Sequence, residues 1–261
     1  MDRDRTALAA AKERLAPYAD RVTLVHSNFA EIDAILDSLG IPAVDGMLFD
    51  LGVSSPQLDD AARGFSYHSD APLDMRMSQS GMSAYDLVNG YDEQSIIRIL
   101  RDYGEERFAA RIARAIVQAR SSRPIETTLQ LAELIKEAIP AATRREGGHP
   151  AKRSFQAIRI EVNGELTALE SALDQAFDLL SVGGRLSIIT FHSLEDRMVK
   201  RRFAVYTEGC TCPAEFPVCV CGKTPRGRLL AKKPVTASEE ELVRNHRSRS
   251  AKLRCIEKIK D

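Results

Sequence analysis

The chain has 261 residues, 44% of them hydrophobic and 28% charged, which allows a large buried core and argues against wholesale disorder. No apolar run approaches the roughly 20 residues of a membrane helix, and the opening residues do not read as a charged-then-apolar leader, so a cytoplasmic location without membrane contact is expected. The formal net charge is zero, yet residues 1–100 hold 8 Lys/Arg against 16 Asp/Glu, while residues 197–261 hold 16 against 7, a formal +9. That segregation suits a basic face for a polyanion, and equally a solvated basic tail.

In chain order, residues 5–16 are rich in strong helix formers, and Arg21 to Val25 reads as a short β-branched strand leading to Phe29. A helix at Ile32–Leu39 and an apolar strand ending at Asp50 follow, an order that predicts a parallel sheet of βαβ units. From about Leu58 to Pro150 only turns and helical periods occur. Within that block Phe108, Ile112, Ala115, Ile116 and Ala119 share one helical face, and Arg107, Arg111 and Arg114 another. Phe155, Ile158, Val162, Leu166, Leu169, Leu173, Phe177 and Leu180 predict one long helix, bent near Asn163-Gly164 and ended by Gly183-Gly184. Arg185–Phe191 reads as a strand, Ser193 as the cap of a helix carrying Lys200, Arg201 and Arg202, and Leu253–Ile259 as a last strand. The fold class expected is α/β with an all-helical insertion. The segments are 1–57, 58–150 for the insertion, and 151–261 with the long helix and basic C-terminal region.

The residues most able to carry chemistry cluster at strand ends, where open α/β sheets border their ligand crevice. Asp50 closes an apolar strand, and its carboxylate needs either solvent or a ligand. The turn Ser54-Ser55-Pro56-Gln57 follows, and Gln57 offers one acceptor and two donors. Phe29 can stack on a ring or belong to the core, and Asp2 can accept from ribose hydroxyls or be an ordinary terminal charge. His192, at a strand end, suits proton transfer, phosphate contact or a structural role. His149, ahead of Lys152-Arg153, can contact phosphate or be plain loop polarity. Cys210-x-Cys212 and Cys219-x-Cys221 form a compact set whose spacing departs from the usual zinc-ribbon pattern, leaving structural zinc and free thiols both open, with Cys255 apart.

Three segments together resemble the ribosomal RNA small subunit methyltransferase H family (RsmH, or MraW), and the resemblance runs the length of the chain. They are Val44-Asp45-Gly46-Met47-Leu48-Phe49-Asp50-Leu51-Gly52-Val53-Ser54-Ser55-Pro56-Gln57, Gly104-Glu105-Glu106-Arg107-Phe108-Ala109, and Ile188-Ile189-Thr190-Phe191-His192-Ser193-Leu194-Glu195-Asp196-Arg197. The resemblance implies a doubly wound methyltransferase sheet, S-adenosylmethionine (SAM) as methyl donor, and SAM contacts from Asp2, Phe29, Asp50 and Gln57. Met1-Asp2-Arg3-Asp4 matches the end of the family's second strand, so the sheet is expected to be N-terminally incomplete, without the family's first strand and Gly-rich turn, through either a start placed too late or a real truncation.

The implied reaction is methylation of the N4 amine of a cytidine in the decoding region of 16S rRNA, with the small ribosomal subunit as partner and no DNA. That amine's lone pair is delocalised into the ring, so catalysis requires alignment and a hydrogen-bond acceptor. Asp50, Ser54 and Ser55 are the candidate acceptors. The clusters Arg107/Arg111/Arg114 and Lys200/Arg201/Arg202 are expected to flank the crevice near Asp50 and grip rRNA phosphates. A competing expectation is a non-catalytic RNA-binding or scaffolding remnant of the family. A DNA amino-methyltransferase fits less well, because the Pro-Pro-aromatic turn common in that class is replaced by Ser54-Ser55-Pro56-Gln57.

Overall fold

A computed structural model describes residues 1–144, 148–213, 215–218 and 220–261. In chain order these form α1 (Arg5–Arg14), α2 (Ile32–Ser38), β1 (Val44–Asp50), α3 (Ser55–Asp59), α4 (Ala84–Gly90), α5 (Glu93–Gly104), α6 (Ala109–Arg120), α7 (Thr128–Ala138) and α8 (Ala141–Arg144). There follow α9 (Lys152–Asn163), α10 (Glu165–Asp178), β2 (Leu180–Thr190), α11 (Ser193–Thr207), β3 (Gly227–Leu229), β4 (Val235–Thr236), α12 (Glu239–Arg244) and β5 (Lys252–Lys258). The chain divides into two compact units, Met1–His26 with Val53–Glu165, and Ser27–Gly52 with Leu166–Asp261.

The first unit is helical. Three of its helices start at side-chain caps: Ser83 with Asp86 at α4, Asp92 at α5, and Thr127 with Gln130 at α7. Between the caps, apolar residues at helical spacing converge on one core that includes Leu87, Ile96, Ile99, Ile112, Ile116, Leu131 and Phe155. One buried amide organises the turns around it. Asn163 accepts from the Met77 N–H at 2.8 Å and donates to the Met75 carbonyl at 2.8 Å. It thereby holds Met75 at φ +60°, a left-handed conformation uncommon for a side-chain-bearing residue.

The second unit is built on a mixed sheet in the order β1-β2-β5-β3, with β4 also on β5. β1 and β2 are parallel, with Phe49 opposite Ile188 and Asp50 opposite Ile189, while β5 runs antiparallel to β2, β3 and β4. Its core joins Phe49, Leu186, Ile188 and Ile256 of the sheet to Leu173 and Phe177 of α10 and Phe203 of α11. β1 is an edge of this sheet, and its Leu48 side chain is 65% exposed.

Several sequence expectations are corrected. The parallel sheet expected from the βαβ order is parallel between β1 and β2 but mixed as a whole, because β5 runs antiparallel to β2. Arg21–Val25 is no strand: the region holds a 3-10 turn over Ala16–Arg21 and then a single bridge from His26 to Asp2, too little pairing for a ladder. The long helix is two, because Gly164 takes a left-handed conformation that ends α9 before α10 begins. Gly183-Gly184 does not end a helix but lies inside β2. There the pairing register jumps between Val44 and Gly46, and a Cβ on Gly184 would come within 2.8 Å of the Ser181 carbonyl. These glycines form a bulge that only a residue without Cβ allows. The cap of α11 is His192 rather than Ser193.

Candidate functional site

Within the sheet unit, β1 carries the chain outward from buried Phe49 to exposed Asp50, where pairing with β2 ends at the Leu51 N–H bond to the Ile189 carbonyl. The Asp50 side chain reaches solvent, yet desolvation by the surrounding protein pushes its pKa above the ordinary aspartate value. Phe29 opens a short 3-10 turn capped by Asn28, whose Oδ1 accepts from the Ala30 N–H at 3.1 Å. Its ring lies 5.3 Å from that of Phe49, tilted by 36°, and it is only partly buried. The Phe29 ring is thus braced on Phe49, the residue just before the carboxylate that ends the strand.

Within the helical unit, Ser54 and Gln57 form a reciprocal cap at the start of α3. The Ser54 Oγ accepts from the Gln57 N–H at 3.3 Å, and the Gln57 Oε1 accepts from the Ser54 N–H at 3.0 Å. Gln57 is buried and donates through Nε2 to Asp4 Oδ2 at 2.8 Å. Arg63 donates to the same oxygen at 2.8 Å and reaches the carbonyls of Arg76 and Met77 with its other nitrogen. Asp4 is 2% exposed. Desolvation alone would raise its pKa, but hydrogen bonds from Gln57, Arg63 and the Thr6 N–H outweigh it and hold the carboxyl below its ordinary value. Asp2 is exposed and accepts from the Asp4 N–H at 2.8 Å, and Ser54 and Ser55 are exposed on the turn. Asp4, Gln57, Ser54 and Arg63 therefore form one network, with Asp2 bonded to its edge.

The histidines are held by local structure. His192 Nδ1 accepts from the Glu195 N–H at 3.4 Å, while Glu195 accepts from the Phe191 N–H at 2.8 Å and lies 3.1 Å from His192 Nε2. This ring shapes the entry into α11. His149 stacks on Tyr67 at 4.4 Å, accepts from the Ala151 N–H and lies near His68. Its pKa is lowered by desolvation first and by His68 and Lys136 second. Arg153 donates to the Glu105 carbonyl. Arg107, Arg111 and Arg114 are exposed, with Arg114 3.9 Å from Glu93. Lys200 and Arg201 are exposed, whereas Arg202 is bonded to Asp174 at 2.6 Å. The thiols of Cys210, Cys212 and Cys221 come together, Cys255 sits in β5 beside Ser187, and Cys219 lies outside the described residues.

Sequence reasoning does not single out Asp4, Arg63, Tyr67 or Glu195 as site residues. Glu195 carries a local signal, three residues after His192 at a helix start. The Asp4–Arg63 pairing spans 59 residues and carries none.

A carboxylate ending a sheet strand beside an aromatic ring is the kind of arrangement at which open α/β proteins bind organic ligands. The model of the MraW methylase family matches residues 1–259. This chain belongs to the MraW methylase family, whose members are SAM-dependent methyltransferases. It is 61% identical to "Ribosomal RNA small subunit methyltransferase H" of Paenibacillus sp. (strain JDR-2), over 99% of this chain and 84% of that protein. Proteins of the same name from Symbiobacterium thermophilum and Brevibacillus brevis are each 58% identical, over 99% of this chain and 82% and 83% of theirs.

Proposed function

We propose that this chain methylates the N4 amine of a cytidine in the decoding region of 16S rRNA, taking the methyl group from SAM. Similarity over 99% of this chain to proteins named for methylation of small-subunit ribosomal RNA supports the substrate class. The observation that carries the chemistry is Asp50, an exposed carboxylate ending β1 one residue after Phe49, the ring that braces Phe29. The doubly wound methyltransferase sheet, the helical insertion at 58–150 and the flanking segments 1–57 and 151–261 belong to the same reading, as does a cytoplasmic setting.

SAM, when bound, supplies a methyl group on a cationic sulfonium. The residues present suit it: Asp50 provides negative charge, and the partly buried Phe29 ring an apolar surface for a base. Asp2 and Gln57 are proposed as further contacts, Gln57 with its amide already oriented by Asp4 and Ser54. For the transfer itself, an oxygen of Asp50, Ser54 or Ser55 accepts a hydrogen bond from the exocyclic amine as positive charge develops there. Such an acceptor acts mainly on the transition state, because the planar amine of the ground state is nearly neutral.

The test is transfer of labelled methyl from SAM to small ribosomal subunits, followed by nucleoside analysis of the 16S rRNA. Methylated cytidine at N4, abolished by Asp50→Ala with RNA binding retained, is the expected result. Salt-dependent RNA binding with no methyl transfer would favour the non-catalytic alternative.

A further inference from the structure

The loop from Glu208 to Arg226 joins α11 to β3 and contains no helix or strand among its described residues. Loops of this length inside a compact unit need something to hold them. Apolar packing does not: Phe216, Val218 and Val220 are 51%, 70% and 73% exposed. What converges instead is sulfur. The Sγ atoms of Cys210, Cys212 and Cys221 all lie within 4.8 Å of one another.

We propose that Cys210, Cys212 and Cys221 bind a zinc ion as thiolates and thereby staple this loop. The separation between Cys210 and Cys221 sulfurs is 3.8 Å. A tetrahedral zinc with Zn–S bonds near 2.3 Å places its sulfur ligands about 3.8 Å apart. A disulfide would instead need a separation of about 2.05 Å. The backbone is also arranged for charged sulfur. The Cys212 N–H donates to Cys210 Sγ at 3.4 Å, and the Val220 N–H donates to Cys212 Sγ at 3.3 Å. N–H donors favour an anionic acceptor over a neutral one, so they favour the form that a metal requires. Gly222, at φ +62°, turns the chain directly after Cys221, a conformation that costs glycine little. Three thiolates select a borderline or soft ion over magnesium or calcium. Cys219, two residues before Cys221, is a further thiol in the sequence. The role is structural, since the loop leaves α11 and returns to the sheet unit through the Arg226 N–H bond to the Tyr206 carbonyl.

The experiment is elemental analysis of the full chain purified under reducing conditions without chelator, with cobalt(II) substitution as the second readout. Expected are stoichiometric zinc and, with cobalt, an intense sulfur-to-metal charge-transfer band. Both should persist in Cys255→Ser and fall to background in Cys212→Ser and in the Cys210→Ser/Cys221→Ser double variant. Tryptic cleavage after Lys223 should accelerate at least tenfold when the metal is stripped. Reduced protein that takes up neither zinc nor cobalt while all its thiols react with a thiol reagent would overturn the proposal. So would undiminished zinc in the double variant, or copper in place of zinc.

Discussion

At the level of single residues, Asp50 and Asp4 show how one side-chain type is tuned in opposite directions. Desolvation raises the Asp50 pKa, so its charge is lost on acidification earlier than that of an ordinary aspartate near 3.9. SAM affinity should therefore decline at a higher pH than an unperturbed carboxylate would give, and Asp50→Asn should flatten that pH dependence while weakening binding roughly tenfold or more. Titration calorimetry between mildly acidic and neutral pH reads both effects. Asp4 is the reverse case. Its folded pKa is depressed, so its stabilising contribution is present above the unfolded value and disappears as pH falls through the folded one. Arg63→Ala removes a charged donor from that buried carboxyl and should cost about 1.5–3 kcal/mol at neutral pH. The loss should shrink in acid, where protonated Asp4 no longer needs the partner; denaturant midpoints against pH measure it. Asp50 is legible in the sequence because a carboxylate after an apolar strand is conspicuous on its own. Asp4 is not, because its meaning comes from Gln57 and Arg63, which only folding brings to it.

At the level of elements, legibility follows how local the determining forces are. α2, β1 and β5 lie within a residue or two of their expected bounds, since apolar patterning fixes them. The two failures at glycine have one cause. Gly164 and Gly183-Gly184 read in sequence as a bend and a stop respectively, but a glycine's role depends on which backbone lies beside it, here the neighbouring turn and β1. Gly104 shows the same dependence where two helices meet. A Cβ there would sit 2.8 Å from the Arg153 carbonyl, at the start of α9. Gly104→Ala should force α5 and α9 apart and cost about 1–3 kcal/mol, despite the higher helix propensity of alanine. Thermal unfolding of the variant tests the sign: stabilisation would mean that the helices yield freely.

For the whole molecule, the charge segregation read from the sequence persists as exposed arginines on α6 and exposed Lys200 and Arg201 on α11. Arg202 is the exception, because its guanidinium is bonded to Asp174 and lies over Tyr206. Replacing Lys200 and Arg201 together should weaken RNA binding and reduce the slope of log affinity against log salt by roughly 0.7–0.9 for each phosphate no longer neutralised. Arg202→Ala should instead lower stability and leave the slope nearly unchanged. Salt-dependent binding curves separate the two, and an unchanged slope in the first variant would make that face merely solvated.

The pairing of β1 with β2 also sets a timetable. Phe49 is translated 139 residues before its partner Ile188. At elongation rates of roughly 5–20 residues per second, β1 waits about 7–28 seconds for its partner strand β2. Within that wait the helical segments up to Glu165 are synthesised, so they can condense before β2 exists. Vectorial synthesis thus turns a topological detail into a period of vulnerability, in which a strand carrying Leu48 is available to any other unpaired strand. Nascent chains stalled far enough past residue 165 for α9 to have cleared the ribosome, but before β2 emerges, should show protease-resistant helices and a readily cleaved β1, and refolding yield from denaturant should fall steeply as protein concentration rises.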